Sequence, residues 1–353
     1  MTPEDRVLAL AGEVAAPDDG CADAARARHD RLVKPPGSLG RLEELGIQLA
    51  AIAGACPPPV CERPAAVVAA GDHGVLAQGV SAWPADVTAA MVGQFCSGRA
   101  AVNALATCVG AQVSVLDVGV AVDLPRHPRL RSAKVQPGTA DLSVTAALER
   151  EAAARAVLAG AGMAEELAAA GVDLLVTGDM GIGNTTPAAC LVAAFTGAPA
   201  ERATGPGAGC DDGALARKAQ VVRGALERHR PAPADPLGAL AAVGGLEHAA
   251  LVGLVLGGGR ARLPVVLDGV STVAAALVAC AMSPAARGYL IAGHRSTEPG
   301  APLGLERLGL DPLLDLRMRL GEATGGLLAV PLVRAAAAAL SRMATFEQAS
   351  IPA

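Results

Sequence analysis

Along this chain, short apolar runs alternate with longer segments whose apolar residues recur every three or four positions. Five runs end in glycine-rich polar turns: "AAVVAAGDHGV" (65–75), "QVSVLDVGV" (112–120), "DLLVTGDMGIGN" (173–184), "LPVVLDGVST" (263–272) and "GYLIAGHRS" (288–296). Alanine-rich segments of helical pattern separate them. Runs with little polar alternation fit strands buried on both faces, and strand–helix alternation predicts a parallel sheet covered by helices on both sides. Each turn leaves the carboxyl end of its strand, so the turns should converge on one edge, where open α/β sheets bind ligands. That edge would carry Asp72, His73, Asp117, Asp179, Asn184, Asp268, His294 and Arg295.

The two ends of the chain read differently. "RLEELGIQLAAIAGA" (41–55) places Leu42, Leu45, Leu49 and Ile52 on one helical face, after the rigid turn "KPPGSLG". "VPLVRAAAAALSRMATF" (330–346) predicts a terminal helix able to pack beside it. The proline-rich "CPPPVCERP" (56–64) is the expected boundary between the helical start and the alternating body.

The 353 residues suffice for one large domain, or a large and a small one. They are 52% hydrophobic but only 1% aromatic, so elements can approach closely, and a flat ligand must be gripped by aliphatic walls and backbone. A net charge of −5 with no basic stripe argues against nucleic acid. The acidic opening is unlike a signal or transit peptide, and Glu247 and His248 interrupt the apolar stretch 236–259, so no membrane span is expected and the cytoplasm is the expected location. The eight cysteines form no CxxC pair and read as small buried hydrophobes; no HExxH or similar ligand spacing predicts a metal.

"TGDMGIGNTTPAA" (177–189) exposes far more backbone than a strand end needs. Amides of a glycine-rich turn at a helix N-terminus make an anion site, and Thr185 and Thr186 add hydroxyls. A plain strand-to-helix turn capped by either threonine before Pro187 is the competing reading. It is not a Walker loop, and the third glycine of GxGxxG is missing. "TGPGAGCDDGALARK" (204–218) either lends Lys218 to the same anion or starts an acid-primed helix with a solvated lysine. His73 of "AGDHGV" reads as a catalytic partner of Asp72 or as a core histidine. Arg295 of "GHRSTEPG" reads as a carboxylate ligand or as a partner of Glu298. Glu322, between glycines in "LRMRLGEATGG", is by itself an ordinary loop carboxylate.

Taken together, "KPPGSLGRLE", "AGDHGV", "GVSAWPADVTAAMV", "TGDMGIGNTT", "GCDDGALARK", "GGLEHAALVG", "VVLDGVST", "GHRSTEPG" and "LGEATGG" resemble, in order and spacing over nearly the whole chain, the nicotinate-nucleotide–dimethylbenzimidazole phosphoribosyltransferases of cobalamin lower-ligand assembly. The resemblance implies a Rossmann-like parallel sheet (residues 61–325) and a small helical domain built from 1–60 and 326–353. It implies a homodimer, nicotinate mononucleotide and 5,6-dimethylbenzimidazole as substrates, and no cofactor. Residue by residue, it implies that Glu322 is the catalytic base, with Asp179 standing where the family has Glu. Gly178, Gly181, Ile182, Gly183, Asn184, Thr185 and Lys218 would hold phosphate and ribose. Ser81, Met91 and Leu320 would lie against the benzimidazole. A Rossmann-type dehydrogenase and a non-catalytic nucleotide sensor are the alternatives from other classes.

Overall fold

A computed structural model describes residues 1–352. Its centre is a six-stranded parallel sheet: β1 (Pro64–Gly71), β2 (Gln112–Gly119), β3 (Leu130–Ser132), β4 (Leu174–Met180), β5 (Val265–Leu267) and β6 (Leu290–Ala292), in the order β3-β2-β1-β4-β5-β6. The five expected runs became β1, β2, β4, β5 and β6. β3 has only three residues with no apolar run to announce it, and pairing of Val115 to Asp117 with Leu130 to Ser132 recruits it.

Period-two alternation sorts β1 between two cores. Ala65, Val67 and Ala69 face one, Ala66, Val68 and Ala70 the other. The first core is covered by helices Arg150–Ala169, Thr185–Thr196, Leu246–Arg260 and Val270–Met282, and the second by Asp86–Ser97, Ala101–Val109 and the start of Thr324–Arg342. Small residues do bring elements close: a Cβ on Gly160 would strike the Ala250 backbone, which lets helices Arg150–Ala169 and Leu246–Arg260 touch main chain to main chain.

Of the terminal segments, Asp19–Arg31 and Arg41–Ala53 gather around Ala25, Ala50 and Leu340, and Arg28 Nε donates to the Leu340 carbonyl at 2.5 Å. The first helix, Pro3–Glu13, places Val7 and Leu10 in the main core instead. The expected boundary at 325/326 falls inside helix Thr324–Arg342. That helix is long and apolar enough to cross a membrane, yet Leu327, Val330 and Val333 are buried in the same core as Val176 and Val266 of the sheet. The cysteines are more varied than expected. Cys61, Cys96 and Cys190 are buried, but Cys108 is exposed and the other four are half-buried.

The chain order reverses direction between β1 and β4, both of which run into glycine-bearing turns. A topological switch point of this kind opens a crevice beyond the strand ends.

Candidate active site

Beyond the ends of these strands lies a cavity of about 670 Å³. Its floor is the end of β4 and the turn that follows, Asp179 to Thr185. One wall comes from residues 206–209 and Lys218, another from Met318 to Glu322, and Val80 to Trp83 with Val87 and Met91 form the outer side.

Glu322 stands on an unusual backbone. Gly321, Glu322 and Ala323 follow one another at φ 82°, 61° and 66°, all left-handed. Two of the three carry a Cβ, and each such residue costs about 1–3 kcal/mol unless its surroundings hold it. β4 supplies that hold through Gly178. A Cβ there would lie 2.5 Å from the Ala323 nitrogen and 2.9 Å from the Glu322 carbonyl carbon. Gly178 therefore does not line the cavity, contrary to its expected place at the phosphate. Its missing side chain admits the turn that carries Glu322. The Thr324 hydroxyl then donates to the Gly321 carbonyl at 2.7 Å and begins the following helix.

Glu322 is not a solvated loop carboxylate. It is 6% exposed, and its Oε2 has no hydrogen-bond partner among the described residues. Burial, reinforced by Asp179 and Asp268, raises its pKa to about 7. Asp179 is buried as well, and burial with Asp268 nearby raises it to about 6. Asn184 does not cap the helix with its side chain; its amide donates to Asp179 Oδ2 at 2.6 Å. Neither threonine is the cap, since helix Thr185–Thr196 starts after Asn184.

The opposite wall carries the cation. Lys218 is 1% exposed, which removes the solvated reading, and its Nζ donates to Thr185 Oγ1 at 2.6 Å and to the Gly205 carbonyl at 2.9 Å. An ammonium has three donors, so one is left for a ligand. Burial lowers its pKa, and Glu298 opposes that shift. Asp211 does cap the helix bearing Lys218, accepting from the Ala214 amide at 2.7 Å, so the acid-primed start is present without its solvated lysine. The loop before it is clamped at Gly207, whose N–H donates to Glu298 Oε1 at 2.8 Å and whose carbonyl accepts from Arg319 at 2.6 Å.

Gly181, Ile182, Gly183, Asn184 and Thr185 all line the cavity, as do Ser81, Met91 and Leu320. Not every amide of the turn is free: Ile182 N–H donates to Thr88 Oγ1 at 3.1 Å and Asn184 N–H to the Gly181 carbonyl at 3.0 Å. Two candidates lie elsewhere. His73 is sealed behind the floor against Glu247, 2.9 Å away, not paired with Asp72 for catalysis. Arg295 is exposed, and its Nε lies 3.5 Å from Asp315 instead of meeting Glu298. Sequence reading passed over Trp83, Ser271, Glu298 and Arg319, which line the cavity. All four sat inside quoted segments, but nothing in their spacing pointed inward. Among the described residues, no group of three or more His, Cys, Asp or Glu side chains is placed to hold a metal ion.

Known proteins with this architecture agree on the chemistry. A family model described as phosphoribosyltransferase matches residues 14–351. A nicotinate-nucleotide–dimethylbenzimidazole phosphoribosyltransferase of Salinispora tropica is 55% identical over 335 residues, covering 91% of this chain and 92% of its own. One of Chloroflexus aggregans is 54% identical over 334 residues, covering 95% and 94%. The crystal structure of CobT from Thermus thermophilus superposes with a TM-score of 0.91 at 50% identity, covering 94% of this chain and 99% of that one. With this identity over nearly its full length, the chain belongs to the nicotinate-nucleotide–dimethylbenzimidazole phosphoribosyltransferase family.

Proposed function

We propose that the chain transfers the phosphoribosyl group of nicotinate mononucleotide to 5,6-dimethylbenzimidazole, giving α-ribazole 5′-phosphate and nicotinate. The observation that carries this reading is a buried, raised carboxylate, Glu322, sharing one cavity with the buried amine of Lys218. In the donor the pyridinium nitrogen is positive and leaves C1′ as a neutral ring nitrogen. No pyrophosphate departs, so no cation is needed to neutralise a leaving group. Lys218 and the Thr185 hydroxyl hold the 5′-phosphate by charge-assisted hydrogen bonds. Asp179 places negative charge near the developing oxocarbenium ion. Glu322 accepts the N–H proton of the benzimidazole while the other ring nitrogen attacks C1′ from the face opposite nicotinate, inverting β to α. The aliphatic Met91, Leu320 and Val87, with Ser81 and Trp83, form the slot for the base. Holding both rings in line with C1′ supplies the rest of the acceleration.

The same reading takes the chain as a cytoplasmic homodimer. Leu320 and Trp83 are exposed at the mouth of the cavity, where a neighbouring subunit's helical end would cover them. Sedimentation at micromolar concentration tests that part. Incubation with nicotinate mononucleotide and a panel of bases, with products read by mass, tests the reaction. Nicotinate release coupled to a base-linked ribotide supports it. Binding without nicotinate release leaves a sensor, and a change in nicotinamide-cofactor absorbance leaves a dehydrogenase.

A further inference from the structure

We propose that His73 is a positioning residue for the nucleotide turn Gly181–Thr185, locked in one orientation by Glu247. The inference rests on the proposed donor substrate for its kinetic readout only. His73 lies two residues beyond the end of β1, and its side chain is wholly buried. Its Nε2 lies 2.9 Å from Glu247 Oε1, and the same oxygen lies 2.7 Å from His248 Nδ1. The two imidazoles meet edge to face, with centroids 6.1 Å apart. Burial alone would raise the Glu247 carboxyl; His73 first and then His248 overcome this and hold it well below the usual range.

The backbone has closed in around this group. A Cβ on Gly245, which precedes helix Leu246–Arg260, would lie 2.5 Å from His73 Cε1. A Cβ on Gly181 would lie 2.9 Å from His73 Nε2. The imidazole is thus wedged between the start of that helix and the underside of the turn that floors the cavity. On its other side the turn is held by the Ile182 amide on Thr88. Gly181 and Gly183 bring no side chain of their own to anchor it. A ring fixed by an ionised partner is a rigid support, and substrate-positioning backbone loses rate or affinity when displaced by as little as an ångström. Close packing transmits such a displacement instead of absorbing it.

The test compares His73→Ala with His73→Gln, whose amide can still reach Glu247. The Ala variant should raise KM for nicotinate mononucleotide at least tenfold with kcat and the benzimidazole KM within threefold, and Gln should restore most of the loss. Hydrogen exchange at the 181–185 amides should quicken in Ala and return towards wild type in Gln. Unchanged exchange and KM in the Ala variant would overturn the inference, as would a loss that tracks only the fraction of folded protein. Should the Ala variant not fold, His73→Gln alone must keep KM within threefold; a tenfold rise with normal exchange would equally overturn it. Faster exchange in the Ala variant beside a wild-type protein that releases no nicotinate would retire the substrate reading and leave the positioning role standing.

Discussion

One wall of the cavity carries Glu322, with Asp179 of the floor beside it; the other carries the turn 206–209 and Lys218, which is bonded to Thr185 at the far end of the floor. Burial acts on both in the same sense, against the charged form. On the acidic wall, burial and the neighbouring carboxylates push the same way, and the pKa values rise to about 6 and about 7. On the basic wall, Glu298 opposes the effect and two acceptors hold the ammonium. A wall whose carboxyls are raised towards neutral pH thus faces one where an acidic neighbour and two acceptors favour the charged form against burial. On the proposed reading, proton removal and phosphate binding fall to different parts of one site, and each should be open to damage alone.

The largest expected effect is on the acidic wall. Glu322→Gln keeps shape and one acceptor oxygen but cannot take a proton. General base catalysis contributes roughly 100- to 10,000-fold, so kcat should fall within that range while calorimetry still shows nucleotide binding. Near-normal turnover would reduce Glu322 to a ring-orienting role. On the basic wall, Lys218→Ala should weaken nicotinate mononucleotide binding by about 1–3 kcal/mol, the range for a hydrogen bond to a charged group. Nicotinate riboside, which lacks the phosphate, should bind both proteins alike; equal losses would move Lys218 away from the phosphate.

A smaller effect tests how the acidic wall is built. Gly178→Ala drives a methyl group into the Ala323 backbone, and overpacking of this kind costs about 1–3 kcal/mol. Its melting temperature should drop, and kcat should fall more than nucleotide affinity, because the Glu322 turn moves and Lys218 does not. A variant that loses affinity first would assign Gly178 to the phosphate after all. The smallest expected effect is none: with a neutral leaving group, exhaustive chelation should leave turnover intact. A large loss restored by Mg²⁺ would contradict the leaving-group chemistry.

Much of this division was legible in the chain, because strand-end turns are where sequence and chemistry coincide. The five apolar runs located the long strands, and their polar termini placed Asp179, Asn184 and Thr185 at the cavity. Lys218 could be assigned to a helix turn but not to an interior, since burial is decided by partners 13 and 33 residues away. Gly178 was misread for the same reason: a glycine that admits a distant backbone looks, in sequence, like one that greets a phosphate. His73 and Arg295 show the limit from the other side. Their residue types suit catalysis, yet one packs on Glu247 and the other points to solvent. The φ values at Glu322 and Ala323 have no local signature, because neither residue favours the left-handed region on its own.

The raised carboxyls also fix a sign. The unfolded chain releases these protons near the ordinary carboxylate value of about 4, so stability of the free protein should fall as pH rises from there through about 7. Activity should run the opposite way, since the base works only when deprotonated. The decisive measurement is therefore the pH dependence of kcat/KM for the wild-type enzyme beside Glu322→Gln, from pH 5 to pH 9. If Glu322 is the base, the wild-type profile falls about tenfold per unit below about pH 7, and the Gln variant loses that limb. A wild-type profile flat from pH 5 to pH 8, or the same acid limb in both proteins, would contradict it.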